Sequence, residues 1–494
     1  MKIPFKKIIL VLFVCCSGEL LALSLKDAID TTLSANQNIK IKKENINYLK
    51  GRKLSNEELF DPIVTTSISV KNQTSENSIF VEPKTQTTTK TNNLGLGVQK
   101  YFTNGVTLSS GFSYNYNDIE QVPINSDENI YLNISYPLLK NNRKSIVGGN
   151  IELSNMDIEI GQLNYRENIS STILETISAY LNYVNLYEIH KLNKLSLQRA
   201  DKLYEEIEIL TNADEKPKSD LKQPLASVVN KNLSVVTSQN ELQNGRNTLC
   251  LAMDISLERC LKLTQPSDNL FQIDIDSSKI LSSDDIYHKQ LDDNRIDLKV
   301  LDIELEKLQL SLDIAKDDLK DDLDLKFNIS SNSQNLNKDI SLPTFSSNHR
   351  EGNIVELSLS YKFNINNNGK KGAYISSLSH YKQNKFLVEK TKKEAHLKLE
   401  EHIRKIKTTI SQYKQTGKSL KIYKEILQNE KDKYKLGLAT TLDIIQTQES
   451  LSSVKLNMIN YLYKFSIELT QLKYYTQTLL TKNGNEFVVN YKER

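Results

Sequence analysis

Lys433-Tyr434-Lys435-Leu436-Gly437-Leu438-Ala439-Thr440-Thr441-Leu442-Asp443-Ile444-Ile445-Gln446-Thr447-Gln448 is the stretch on which the reading of this chain turns. Helical pattern without proline runs into it from Gly372 and out of it to Leu480. Glycine takes up left-handed backbone without a Cβ penalty, so Gly437 is suited to end the incoming helix. Thr440 can accept a hydrogen bond from the free amides of the next helix, and Asp443 falls in a first turn where the helix dipole favours an acid. The stretch predicts the tip of a helical hairpin, with Leu436–Thr440 as the turn.

The arms of this hairpin are too long for a compact domain. The 64 residues from Gly372 to Lys435 contain no proline, and at about 1.5 Å per residue an unbroken helix of that length reaches roughly 95 Å. Leu399, Ile403, Ile406, Ile410 and Tyr413 recur at spacings of 4, 3, 4 and 3, and Ile173, Ile177, Tyr180, Val184 and Tyr187 repeat that spacing earlier in the chain. Both runs read as coiled-coil seams.

The earlier seam belongs to a first copy of the same design. Leu25-Lys26-Asp27-Ala28-Ile29, followed by Asn36-Gln37-Asn38-Ile39-Lys40, recurs in pattern 258 positions later as Ser283-Asp284-Asp285-Ile286-Tyr287, followed by Asn294-Arg295-Ile296-Asp297-Leu298. Residues 23–262 and 285–482 therefore read as two repeats, each ordered helix, strands, helix, turn, helix. The first places strands within 63–138 and a helical hairpin at 150–253. The second places them at 323–364 and 372–480, with 263–284 as a linker and 483–494 as a tail.

The strand segments alternate. Val355, Leu357, Leu359, Tyr361 and Phe363 are separated by Glu356, Ser358, Ser360 and Lys362, which gives one apolar and one polar face. Leu323–Ile329, Ile130–Pro137, Leu94–Phe102, Val106–Tyr116 and Val64–Val70 behave alike, and their lengths fall in or a little below the roughly 9–11 residues of a tilted transmembrane strand. Lipid on one side and water on the other accounts for isolated strand groups between very long helices. Tyr101, Phe102, Tyr114, Tyr116, Tyr131, Tyr136 and Tyr361 would mark the membrane interface, and 71–93, 117–128 and 330–352 would be extracellular loops. Leu94–Phe102 and Val106–Tyr116, joined by Thr103-Asn104-Gly105, form a hairpin with a glycine-containing turn.

Composition agrees with an exported, helix-rich chain. It is 38% hydrophobic, with 16 Gly, 9 Pro and no Trp, and a net charge of +3 whose acids and bases are interspersed. No polybasic patch points to nucleic acid. Residues 1–22 read as a signal peptide, with Lys2, Lys6 and Lys7 before an apolar run from Ile8 to Cys16 that is too short to span a bilayer. Of the four cysteines, Cys15 and Cys16 lie in that signal; neither Leu12-Phe13-Val14-Cys15 nor Phe13-Val14-Cys15-Cys16 has the small residue that precedes an acylated cysteine. Cys250 and Cys260 remain, and an oxidising compartment permits a disulfide between them or leaves them as packing residues.

Taken together, the 433–448 stretch, Leu23-Ser24-Leu25-Lys26-Asp27-Ala28-Ile29, Asn294-Arg295-Ile296-Asp297-Leu298 and Ser135-Tyr136-Pro137-Leu138-Leu139 resemble, in order and spacing, the TolC-like outer-membrane efflux proteins. The resemblance covers nearly the whole mature chain. It implies an α+β membrane fold, a trimeric outer-membrane β-barrel continued by a long periplasmic α-helical coiled-coil barrel, built from two structural repeats per chain. It also implies a homotrimer in outer-membrane lipid, partnered by a periplasmic adaptor and an inner-membrane pump or ABC transporter, with no cofactor. By position, Asp220, Gln223, Asp443 and Gln446 would ring the periplasmic aperture, and Leu436, Gly437 and Leu438 would form the tip that meets the adaptor. The chain departs from the family in three places: Gln446 stands where the best-known member has an acid, the turn Asn212-Ala213-Asp214-Glu215-Lys216-Pro217-Lys218 is longer and more polar, and the first half offers four strands against a norm of two. The expectation is the family's barrel with an extra hairpin that either enlarges it or stands above it. Helix capping alone is the competing role for Asp220 and Asp443.

No catalytic constellation emerges: HExxH, G-x-S-x-G and a phosphate-binding glycine loop are all missing from the sequence. The chain does not read as an enzyme. His396 and His402, with Glu400 and Glu401 between them, are the nearest approach to a metal cluster, but a spacing of six puts the imidazoles on different helix faces. Three functions follow: a passive efflux duct for small molecules such as drugs, a conduit of the same architecture in a type I protein secretion system, or a non-porous periplasmic coiled coil or adhesin. The third leaves the alternating strands unexplained.

Overall fold

Ser24 opens the first helix of the structure, a computed structural model that describes residues 23–76, 86–120, 124–263, 265–268, 284–336, 350–483 and 486–489. The expected signal peptide 1–22, with Cys15 and Cys16, lies outside these residues, as do the centres of the three expected loops, most of the 263–284 linker and the end of the tail. Ser24 Oγ accepts from Asp27 N while the Asp27 carboxylate accepts from Ser24 N, a reciprocal cap that starts α1 (Leu25–Ala35). Asn36 ends α1, and its side-chain oxygen accepts from Asn38 N at 2.9 Å to start α2 (Gln37–Glu57).

Each half then follows the predicted order. Strands β1 (Ile63–Glu76), β2 (Gln86–Tyr101), β3 (Thr107–Ile119) and β4 (Asn125–Pro137) lead to a short α3 (Lys144–Val147), then α4 (Gly149–Asn212), a 3-10 turn (Lys218–Leu221), α5 (Lys222–Met253) and α6 (Leu257–Leu261). The second half repeats the theme with α7 (Asp284–Asn294), α8 (Ile296–Asp317), β5 (Asp322–Leu336), β6 (Arg350–Lys362), α9 (Asn368–Lys435) and α10 (Thr441–Tyr475). A small hairpin, β7 (Leu480–Asn483) with β8 (Glu486–Val489), ends the described chain.

Two boundaries differ from the sequence reading, and one alternative it left open is decided. The predicted helix to Leu480 stops at Tyr475, because Gln477 adopts a left-handed φ of 55° and Leu480 enters β7. Strand pairing extends well into the expected loops, since Glu76 pairs with Gln86, Asn117 with Asn125 and Asn332 with Gly352. The hairpin β2–β3 does not stand apart but lies within one antiparallel sheet of order β1-β2-β3-β4-β5-β6. Its turn is made by Gly105, at φ 86°, whose amide donates to Phe102 O at 2.9 Å.

The chain divides into two compact units. The described residues of the first, which fall within 23–43, 164–296 and 392–489, are helical apart from the β7–β8 hairpin and short connections. Its core is the predicted pair of seams: Ile173, Ile177, Tyr180 and Val184 on α4 and Leu399, Ile403, Ile406 and Ile410 on α9 are all buried, with Tyr187 and Tyr413 half-buried at the ends. Burying each aliphatic side chain contributes about 1.5–3 kcal/mol relative to exposure. Tyr180 also bonds Leu23 O at 2.9 Å and the Asp268 carboxylate at 2.7 Å, so burial and then that carboxylate push its hydroxyl pKa far up. Cys250 and Cys260 form a disulfide between α5 and α6, with Cα atoms 5.6 Å apart. The second unit, residues 44–163 and 297–391, holds the six-stranded sheet together with helix segments that meet through the Asn56–Ser154 bond at 2.8 Å and the Lys307–Asp157 ion pair.

Candidate channel wall and helical tip

The register of the sheet sorts its side chains into two faces. One carries Val64, Ile68 and Val70 of β1, Leu94, Leu96 and Val98 of β2, Leu108 and Phe112 of β3, Ile130, Leu132 and Ile134 of β4, Leu325, Phe327 and Ile329 of β5, and Val355, Leu357 and Leu359 of β6. The opposite face at the same level carries Thr65, Ser67 and Ser69, Asn93, Ser109 and Ser113, Asn129 and Asn133, Asn328 and Ser330, and Ser358 and Ser360. Asn93 Nδ2 donates to Ser69 Oγ across the β1–β2 pair at 3.1 Å. Asp324, Lys326 and Glu356 are charges of that face within this belt, and Tyr131 and Ile354, opposite Ser330, also lie on it.

The apolar face is not covered by the rest of the chain. Ile68 is 75% exposed, Val70 79%, Val355 69% and Leu357 68%. In water so extended an apolar patch is a liability, whereas in a bilayer it is the ordinary exterior of a barrel. No described helix is long and apolar enough to cross a membrane. The two outermost strands, β1 and β6, carry the open edges of the sheet, and open edges are not tolerated in hydrocarbon.

A polar knot sits where the strands meet the helices. Asp317, at the end of α8, is 1% exposed and accepts from the Asn141 amide at 2.8 Å and from Arg143 at 3.5 Å, with Lys320 as a third partner. Burial works against its charge, yet the Lys320 hydrogen bond, the Asn141 amide and the two nearby cations together hold its carboxyl below the usual carboxylate range. Asn141 takes a left-handed φ of 58° to present that amide.

At the other end of α9 the turn has the left-handed glycine, the capping threonine and the first-turn acid that the sequence predicts. Gly437 has φ 70°, and Leu438 N donates to Lys433 O at 2.8 Å to close the helix. Thr440 caps α10, with its side chain accepting from Asp443 N and the Asp443 carboxylate accepting from Thr440 N. The hydroxyl and then the amide of Thr440 hold the Asp443 carboxyl below its ordinary range. Leu436 and Leu438 are about three-quarters exposed, at 74% and 75%.

The first-half turn packs beside it. Leu203 and Ile207 of α4 cluster with Ile444 of α10, together with Leu221, Tyr434 and Ile445. Lys216 donates to Tyr434 Oη at 2.6 Å and lies over its ring. Asp220 and Asp443 thus sit on neighbouring turns, next to Leu221 and Ile444. The reading of Asp220 as a helix cap is not supported: it lies in the 3-10 turn, where Ser219 Oγ donates to its carboxylate at 3.2 Å, and α5 starts without a side-chain cap. Pro217, which precedes that turn, and Pro224 within the first turn of α5 account for the difference. Gln223 and Gln446 are exposed.

His396 and His402 do point to different partners. His402 faces Glu468 at 3.4 Å, whereas His396 meets Asp292 at 3.0 Å and His288, Nδ1 to Nδ1, at 2.9 Å. His288 lies 108 residues earlier, and no local pattern announces that pairing. Among the described residues, no group of three or more His, Cys, Asp or Glu side chains is arranged to hold a metal ion.

No protein-family model matches the chain, and no curated protein matches it in sequence. Solved structures do match in fold. The outer-membrane protein VceC from Vibrio cholerae superposes with a TM-score of 0.66 at 14% identity, over 92% of this chain and 96% of that one. The Campylobacter jejuni CmeC outer-membrane channel gives 0.64 at 16% identity over 92% and 85%, and the open state of the Neisseria gonorrhoeae MtrE outer-membrane channel gives 0.64 at 15% over 92% and 88%. The fold of this chain is that of the TolC-like outer-membrane channels.

Proposed function

We propose that this chain is one protomer of a TolC-like outer-membrane efflux channel, a passive duct through which small molecules such as drugs leave the cell. The observation that carries the proposal is the two-faced sheet: one predominantly apolar face, one predominantly polar face, and two open edges that a single chain does not close. Closing those edges in lipid calls for further copies, and the homotrimer of the resembled family meets that need. The helical unit supports the same conclusion. On α5, Leu225, Val229, Leu233 and Val236 form an exposed apolar stripe at spacings of 4, 4 and 3, which another copy's helices would cover.

In this reading the sheet lies in the outer membrane and the helical hairpins in the periplasm. The turns bearing Asp220, Gln223, Asp443 and Gln446 form the aperture, and Leu436, Gly437 and Leu438 offer an exposed tip to a periplasmic adaptor that links the duct to an energised inner-membrane pump. The Cys250–Cys260 disulfide suits an oxidising compartment. The test is planar-bilayer conductance of the detergent-extracted mature protein, with its mass measured in parallel. Discrete current steps from a trimer are expected; a water-soluble, electrically silent protein would rule the channel out.

A further inference from the structure

We propose that all six strands of each chain belong to the membrane wall, so that three chains close a barrel of eighteen strands, not the twelve that two strands per half would make. The inference rests on the protomer reading above and adds to it the size of the pore. Position in the sheet comes first: β2 and β3 stand between β1 and β4, and every one of these neighbours pairs in unbroken antiparallel register, from Ile63 with Gln99 to Glu76 with Gln86 and from Thr107 with Ser135 to Asn117 with Asn125. A hairpin standing above the barrel would leave β1 beside β4, and they are not neighbours.

The apolar belt provides the second argument. It crosses β2 and β3 through Leu94, Leu96, Val98, Leu108 and Phe112, interrupted on that face by Ser110 opposite Val98 and bounded by Lys100 opposite Leu108. Its midpoint lies near Ser67 on β1 and at Leu357 on β6. Following the register from Leu357 through Phe327, Ile134 and Leu108 to Lys100 arrives one residue before Ile63, so the belt has moved about five residues along the strands in five strand-to-strand steps. At about 3.3 Å per residue and 4.8 Å between strands, a belt that drifts in this way is level when the strands tilt by about 35°. Transmembrane barrels tilt by about 35–45°. The hairpin therefore shares one bilayer slab with the other four strands.

Barrel diameter grows roughly in proportion to strand number, so eighteen strands give a lumen about 1.5-fold wider and about twofold larger in cross-section than twelve. Its wall is the polar face, on which Lys326 of β5 and Glu356 of β6 stand diagonally across neighbouring strands. Such a barrel admits bulky hydrophilic solutes and leaves discrimination to the helical tip.

The test uses the full-length protein in liposomes containing lipids with a nitroxide on the acyl chain. Leu96→Cys and Phe112→Cys are labelled with a fluorophore, and Leu357→Cys on β6 is the reference; Val98→Cys and Leu108→Cys substitute should either variant fail to fold. Quenching at 96 and 112 within about twofold of that at 357 is expected. Quenching at 357 alone would put the hairpin off the wall and overturn the wider barrel while sparing the channel. An unquenched 357 would remove the sheet from lipid, and the protomer reading with it. The seam is checked with Ser67→Cys combined with Ser358→Cys, which stand at the same belt level on the two edges and on the polar face. A reducible ladder ending at the trimer is expected, and its absence in a protein whose labels are quenched would overturn closure of β6 on β1.

Discussion

Thr440 and Asp443 hold each other across the first turn of α10: Asp443 Oδ2 accepts from the amide and the hydroxyl of Thr440, both at 2.7 Å, and Thr440 Oγ1 accepts from Asp443 N at 3.3 Å. The cap uses one carboxylate oxygen and leaves the charge in place, so capping and a gate role are compatible.

They are separable by substitution. Asp443→Ala is expected to fray the start of α10 at a cost of about 1 kcal/mol, read as faster amide exchange at Leu442–Ile445. Asp443→Asn keeps an acceptor for the Thr440 amide and restores most of that protection. Both variants are expected to weaken block of the channel by divalent cations. Block of undiminished strength in both would assign Asp443 to capping alone.

Asp317 makes the chain sensitive to acid. Its ordinary pKa is 3.8 and its folded value is lower, so the stabilisation is present above about pH 4 and is lost as the pH falls through the folded value. Asp317→Asn is expected to lower the melting temperature at pH 6 and to show a shallower decline than the parent between pH 5 and 3. Parallel melting curves over that range would remove Asp317 from the account.

What could be read from sequence was local. The seam of Ile173, Ile177, Tyr180 and Val184 follows from helical period, and the Gly437–Thr440 turn from the stereochemistry of a left-handed glycine and a capping hydroxyl. Cys250 and Cys260 were found by elimination, being the cysteines left once the signal is set aside. The place of β2 and β3 was not legible, because alternation fixes which face a side chain takes but not which strand lies alongside. Gln477 gave no warning either: a glutamine at positive φ ended α10 where only a glycine or proline would have signalled it. The contact of His288 with His396 depends on how α7 meets α9, which no spacing within either helix encodes.

The two faces of the sheet make opposite predictions one residue apart on β6. Leu357→Lys places an ammonium against lipid and is expected to destabilise the barrel by about 2–4 kcal/mol if it lies near the bilayer midplane. Ser358→Lys places the same charge toward the lumen, where water solvates it. It should fold like the parent and shift the reversal potential in a salt gradient toward anions. The reverse pattern, with 358 destabilised and 357 tolerant, would invert the assignment of the faces.

The disulfide offers the last test. Cys250 lies near the end of α5 and Cys260 on α6, ten residues apart, and Asp254 at a left-handed φ of 55° reverses the chain between them. The carboxylate of Asp254 accepts from Gln37 N at 2.8 Å, so this corner also fixes the start of α2. Cross-linking a loop of this length lowers the entropy of the unfolded chain by an amount worth about 2–3 kcal/mol. Cys250→Ala combined with Cys260→Ala is expected to lower the melting temperature, and a reducing agent should bring the parent to the same value while leaving the double variant unmoved. A parent that melts identically with and without reductant would show that packing of α6, not the covalent link, holds this corner.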